Sequence, residues 1–378
     1  MRLTAVSIQG YRSVRRIRFP VGPLTVFVGR NGVGKTNLYR GLALLHAAAN
    51  GSITRELAEE GGMASVLWAG KRRKGDPARL VLAAEFDALE YAIEVGFPAP
   101  MFPALDGEPL VKAERLAARV DGGRPVTLME RKGPAVWLRD ATGRRRTFED
   151  ALLASETALA AFRETALLPE LGAVRHAMQD WRLYHEFRTD TAAPVRRPCL
   201  AIATPSLAAD GHDLAAVLAT LVEIGGDAAA FMSAVDDAFP GVRLGVEGEG
   251  GNHRRLTMLF PEMQRPPPEP SRIFGAHELS DGTLKYLCLV GALCGYRMPG
   301  FVALNEPESS LHPDLIAPLA RLIASRSEVA RLWVVTHSET LGDALADLTG
   351  NPPLVVTKRE GETWIEGLSL LGSFADEQ

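Results

Sequence analysis

The segment GRNGVGKT, Gly29 to Thr36, sets three glycines, a lysine and a threonine in the spacing G-x-x-x-x-G-K-[ST]. Gly29, Gly32 and Gly34 allow the backbone to curl so that its N–H groups converge on an anion, with Arg30, Asn31 and Val33 completing the cradle. Lys35 would bring a point charge to the terminal phosphates of a nucleotide, and Thr36 a hydroxyl to Mg²⁺. Three further stretches carry polar chemistry. FVALNEPESSLHP ends an apolar run in Asn305, Glu306, Pro307 and Glu308; WVVTHS ends another in His337; ELSDGT opens a helix with Ser280 and Gly282. Taken singly, Ser280 reads as a helix cap, the acids as a polar turn and His337 as a hydrogen-bonded structural group. In open α/β sheets, however, ligand chemistry sits at the carboxyl ends of strands, and these residues follow the loop in the order a nucleotide site needs.

The elements that must position them follow from periodicity. LTAVSIQGY and PLTVFVG read as strands, the second running directly into the glycines, and KTNLYRGLALLHAAAN repeats Leu38, Leu42 and Leu45 at helical spacing. RLVLAAEF, LEYAIEVGF, PVTLME and AVWLRD alternate as an antiparallel meander. From about Phe148 the chain turns Ala/Leu-rich, and ALLASETALAAFRE, DLAAVLATLVEI and AAAFMSAVDDAF read as helices, followed by a hairpin of VRLGVEGEG and RRLTMLF. The prolines of MQRPPPEPSR mark a linker or exposed turn. Beyond them come a helix from ELSDGT, a buried strand FVALN, a helix PDLIAPLARLIA, a buried strand RLWVVTHS, a helix ETLGDALADL and a closing hairpin, PLVVTKREGETWIEGL. The expected class is α/β: a P-loop NTPase with a mixed sheet, an antiparallel meander and a helical insert. Residues 1–145 and 272–378 would form a bipartite nucleotide-binding domain, with 146–271 as the insert.

Composition sets the bounds. The 378 residues are 46% hydrophobic and 23% charged, enough to bury a sizeable core. A net charge of −4 does not suit a protein that coats nucleic acid by bulk electrostatics. Cys199, Cys288 and Cys294 have neither disulfide nor zinc spacing, and two of them fall in an apolar helix, a reducing-compartment pattern. No apolar run reaches bilayer length and no cleavable leader is visible, so a cytoplasmic location away from the membrane is expected.

At this point the chain resembles the ABC-type ATPases of the RecF/SMC kind, most closely the bacterial RecF-like AAA family ATPases. The resemblance covers the two nucleotide-binding halves and matches the middle only loosely. It implies that ATP and Mg²⁺ are bound, with Lys35 and Thr36 on phosphate and metal and Asn305 in place of the first acid of the pair, the one that accepts from metal-bound water. It also implies that two copies pair head to tail, so that Ser280 and Gly282 of one reach the γ-phosphate held by the other. Glu306 would polarise the attacking water, His337 would sense the γ-phosphate, and SSLHPD would cross the dimer interface. GYRSV would bring Arg12 and Ser13 toward the nucleotide. A Q-loop is expected within GGMASVLWAG, where no glutamine stands.

Asn305 replaces an acid. Its carbonyl can still accept a hydrogen bond from metal-bound water, but it adds no charge. With Glu306 intact, the expectation is a slow ATPase with a raised Mg²⁺ requirement. Its purpose stays open among three readings: a clamp on double-stranded DNA in repair or phage defence, an ATP-gated module for a separate nuclease or effector, and a scaffold with little hydrolysis. RSVRRIR, KRRK and GRRR could serve DNA or simply face solvent.

Overall fold

The computed structural model describes residues 1–71, 78–97, 108–120, 123–140, 142–149, 152–163, 167–248, 250–263, 271–369 and 372–374. The proline run at 266–268 and three of the four residues of KRRK lie outside them. By its contacts the chain forms two compact units, one of Met1–Gly22, Gly29–Trp181 and Leu354–Gln378, the other of Pro23–Val28 and Arg182–Pro353.

In the first unit, eight antiparallel strands form one sheet, in the order Val14–Pro20, Leu3–Tyr11, Arg79–Phe86, Leu89–Gly96, Leu110–Ala118, Val126–Lys132, Ala135–Arg139 and Arg145–Phe148. The alternation that predicts a meander is explicit in Leu89–Gly96. Leu89, Tyr91, Ile93 and Val95 are buried, while Glu90 and Glu94 reach across to Arg115 (2.6 Å) and Arg79 (2.7 Å). Helix Lys35–Asn50 lies against this sheet, its Gly41 leaving the space that Ile8 fills. It stops at Gly51, whose left-handed backbone caps the last carbonyls. The unit also holds the closing hairpin, Leu354–Arg359 with Glu362–Ile365. Its two-residue turn has Glu360 (φ 49°) and Gly361 (φ 87°) both left-handed, the geometry that suits strand twist.

One expectation fails here. Of ALLASETALAAFRE, the described residues are helical only over Ala158–Ala161. Its backbone groups find partners in a buried ion pair instead of in a longer helix. Arg131 and Glu114, both fully buried, meet at 2.9 Å. Arg131 donates to the carbonyls of Leu153 and Glu156, while Glu114 accepts from the N–H groups of Ala158 (2.6 Å) and Leu159 (3.3 Å). Leucine and alanine spacing cannot announce a competitor drawn from strands 22 to 45 residues away.

In the second unit four strands run parallel in the order Arg182–Tyr184, Phe301–Asn305, Arg331–Thr336 and Leu24–Val28. The inner ones are continuous apolar runs, as strands covered on both faces must be. Arg182–Tyr184 is an edge strand that the sequence did not announce. Helices Ile316–Ser327 and Glu339–Thr349 pack on Arg331–Thr336. Helix Asp281–Leu293 is buried at every position from Leu284 to Leu293, so it carries no amphipathic stripe. A small antiparallel sheet contains the foreseen hairpin, Arg243–Gly248 with His253–Leu259, flanked by Cys199–Leu200 and Phe274–Gly275. No described helix is long and apolar enough to cross a membrane.

Candidate functional site

The phosphate loop belongs to the first unit. Gly32 (φ 80°) and Gly34 (φ 105°) take left-handed backbone, as the curl requires. At Gly34 a Cβ would also come within 2.6 Å of Ser13 Oγ and collide with the side chain of Thr363. Gly29 is needed for a different reason: a Cβ there would lie 2.5 Å from the carbonyl oxygen of Val356. Lys35 is buried, and its ammonium donates to the carbonyls of Gly29 (2.5 Å) and Arg30 (3.1 Å), which holds the cation over the loop. Arg30, Asn31, Gly32 and Thr36 are exposed and Val33 is half-buried. A cradle of left-handed glycines with a folded-back cation at a helix N-terminus suits a phosphate chain, and the exposed Thr36 hydroxyl suits a phosphate-bound Mg²⁺.

Two braces fix the loop. Thr363, from the closing hairpin, donates its hydroxyl to Val33 O (2.8 Å) and contacts Ser13 Oγ (2.6 Å). Ser13 Oγ in turn accepts from Asn37 in the first turn of the helix (2.7 Å). Arg12, at φ 46°, pairs with Glu60 at 2.6 Å. Glu60 also accepts from the Tyr11 hydroxyl (2.7 Å) and from Arg40. Burial, with the Glu60 carboxylate beside it, pushes the Tyr11 phenol well above its ordinary pKa. The Arg12 segment is zipped to the stretch expected to hold a Q-loop: Arg12 N donates to Val66 O (2.8 Å), Trp68 N to Gly10 O (2.9 Å) and Ala69 N to Arg12 O (3.1 Å).

The acids, the histidine and helix Asp281–Leu293, here called the signature helix after its ELSDGT entry, belong to the second unit. Register aligns three strand ends, pairing Asn305 with Val335 and Thr336 with Val28, the residue before Gly29. Asn305 Oδ1 is buried with no hydrogen-bond partner among the described residues. An orphaned acceptor at this position fits a water held by a metal. Glu306 follows at φ 46°, its N–H donating to Val335 O (2.7 Å) and its carboxylate 3.7 Å from His337 Nδ1. Both side chains are partly exposed. Ser280 caps the signature helix by accepting from Thr283 N (3.2 Å), and Gly282 packs so closely that a Cβ would lie 3.2 Å from Ser310 O. SDGT and SSLHPD are therefore in contact within one copy.

The sequence reading missed four supporting residues. Lys285, buried one turn into the signature helix, lies 3.4 Å from Glu306 O and bonds the Ser309 hydroxyl. Burial lowers its pKa, while the nearby carboxylates of Glu308, Glu186 and Glu306 act the other way. Glu308, almost fully buried, bonds the end of the neighbouring strand. Arg196 gathers the carbonyls of Ala276 (3.2 Å), His277 (3.2 Å) and Leu279 (2.8 Å) and pairs with Asp281 at 2.6 Å, locking the entry to the signature helix. Thr363 is the fourth. Glu308 stood in a stretch already under suspicion; the others lie in ordinary helical, loop and strand patterns that carry no local signal.

The family model described as "AAA domain, putative AbiEii toxin, Type IV TA system" matches residues 24–343. No curated protein matches the chain. Among solved structures, an SMC head bound to the C-terminal winged-helix domain of ScpA is 15% identical, with a TM-score of 0.50 and 98% of each chain covered. An SMC head with an extended coiled coil, bound to the C-terminal domain of ScpA, from Pyrococcus furiosus, is 13% identical with a TM-score of 0.51, covering 98% of this chain and 97% of that one. The likeness in fold thus extends over the middle of the chain as well as the two halves in which the motifs lie. With a P-loop on an α/β fold resembling SMC heads, and a family match spanning most of its length, the chain belongs to this AAA-domain ATPase family.

Proposed function

We infer that the chain is a Mg²⁺-dependent ATPase that pairs head to tail with a second copy when ATP is bound, and that this pairing acts as a switch in genome or phage defence or in DNA repair. One observation carries the reading. The strand that leads into the phosphate loop is in register with the strand that ends just before His337, itself in register with the strand that ends at Asn305, just before Glu306. In that role Lys35 and the loop N–H groups would hold the phosphates, Arg12 and Ser13 would lie beside the loop, and Glu306 would orient the attacking water. His337 would meet the γ-phosphate, and Ser280 and Gly282 would meet the nucleotide of the second copy. Mg²⁺, held by Thr36 and through water by Asn305, would supply charge neutralisation on the phosphates. The family description, with its toxin–antitoxin association, favours defence among the possible settings.

The test is steady-state ATP turnover against protein concentration, for the wild type and Glu306→Gln. Activity per subunit should rise with concentration, and the substitution should lower it by about 10²–10⁴-fold, as expected for loss of a group that moves a proton. ATP binding without turnover in both proteins would defeat the hydrolytic reading.

A second reading is an ATP-gated module for a protein partner. It is favoured by a cavity of about 470 Å³ beside helix Leu214–Glu223, rimmed by exposed Ile202, Val222 and Ile224. The basic stretches give DNA less support, because Arg18 is paired with Glu85, Arg146 is paired with Asp140 and Arg145 stacks on Trp137. Salt-dependent retention of duplex DNA, with affinity falling steeply between low and moderate salt, would favour the clamp on DNA.

A further inference from the structure

The helix end that would meet a phosphate begins with an acid. Ser280 caps helix Asp281–Leu293, which puts the Asp281 carboxylate in the same first turn as the N–H groups that would receive an anion. Ser280 and Asp281 are both exposed. An acid in a first turn suits the helix dipole, but it sets like charge against any phosphate that approaches. Arg196 answers this conflict. Its side chain is 8% exposed and donates to Asp281 Oδ1 at 2.6 Å. Its other bonds go to backbone carbonyls: those of Ala276, His277 and Leu279 on the approach to Ser280, and those of Thr189 (2.8 Å) and Asp190 (3.1 Å) on its own loop. A carbonyl needs only an N–H, whereas Asp281 is the acceptor that the charge of the guanidinium matches. Glu278, the acid ahead of Ser280, is turned back in a similar way: it accepts from Gly275 N (3.0 Å) and pairs with Arg272 at 3.3 Å.

We propose that Arg196 readies the signature helix for a phosphate by cancelling the charge of Asp281, so that the helix end keeps its dipole and its Ser280 hydroxyl without a bare carboxylate beside them. The proposal rests on the head-to-tail reading and deepens it, giving the signature a charge requirement. Arg196, largely buried, is a positioning residue that acts through Asp281. The pair accounts for an aspartate at this place: it supports the helix, and its arginine removes the cost to the ligand. Because the arginine comes from 85 positions upstream, ELSDGT read alone gives no sign of that neutrality. A head-to-tail pair of identical copies makes the contact twice, so a change in it counts twice in the dimer's dissociation constant.

The experiment measures the dimer dissociation constant by sedimentation with ATP and Mg²⁺, in full-length Glu306→Gln so that the nucleotide is not consumed. Added to that background, Arg196→Gln keeps an amide donor for the carbonyls but leaves Asp281 bare, and should weaken the dimer about 10–100-fold. Asp281→Asn keeps an acceptor for Arg196 and frees its charge to act on the phosphate, and should tighten the dimer about threefold or more. The two substitutions together remove both charges and should return the constant to within about threefold of the background. An Arg196→Gln dimer as tight as the background overturns the proposal. So does a double variant as weak as Arg196→Gln, since the lost carbonyl contacts and not the charge would then matter. If Arg196→Gln does not fold, Asp281→Asn decides alone, and a dimer no tighter than the background overturns the proposal. A background protein that stays monomeric with ATP overturns the head-to-tail reading and the proposal with it, whereas the other adverse outcomes leave that reading standing.

Discussion

Asn305 is the residue whose type most directly bears on the proposed activity. Its buried Oδ1 has no partner among the described residues; in the proposed site it would accept from metal-bound water, while the amide brings no charge to help hold the ion. Asn305→Asp is therefore expected to lower the Mg²⁺ concentration for half-maximal turnover by about 10–100-fold, read from a metal titration at saturating ATP. An unchanged midpoint would mean that the position does not act on the metal. Thr363 gives a second test. It is 1% exposed and satisfies Val33 O, so Thr363→Val keeps the shape and removes the bond. A loss of about 1 kcal/mol, the usual net worth of such a bond, should raise the Kd for ATP roughly fivefold in a binding titration. Residues whose own type carries chemistry, such as Lys35, Glu306 and His337, can be named as candidates from the sequence. Thr363, Arg196 and Lys285 were not, because their roles depend on which backbone carbonyls and side chains they face, and a threonine in a strand or an arginine in a loop looks the same whatever lies opposite.

At the scale of elements, period carried most of the information. The meander, the buried strands around Val302 and Val334 and the signature helix all follow from alternation or from unbroken apolar runs. The failure at ALLASETALAAFRE has a physical cause in Glu114 and Arg131, which also makes it testable. Removing one member of a fully buried pair leaves the other charge uncompensated, so Arg131→Met should cost about 3–5 kcal/mol in denaturant unfolding. Glu114→Gln combined with Arg131→Met should recover part of that loss, since no bare charge remains. Equal losses in the single and double variants would show that packing of the Leu153–Ala161 segment, and not charge, dominates.

At the scale of the molecule, what the sequence could not convey is how the chain is shared. Residues 23–28 belong with 182–353, and 354–378 with the first unit, because strand partners are chosen by register and not by nearness along the chain. The three thiols report on this packing. All are buried, and burial pushes Cys294 up to about 12 and Cys288 higher still. Iodoacetamide at pH 8 should therefore leave them unlabelled in the native protein and modify all three once it unfolds, as counted by intact mass. Rapid native labelling of Cys288 would mean that the second unit opens readily.

The bond from Thr363 to Val33 spans 330 positions of chain. During synthesis the glycine loop is made 330 residues ahead of the strand that steadies it. At about 5–20 residues per second the wait is roughly 15–70 s. Throughout that interval a nascent chain should hold ATP weakly, whatever the state of its signature helix, and ribosome-arrested chains ending before and after Thr363 should differ in nucleotide retention. Competence to bind nucleotide would thus come only after translation of the closing hairpin.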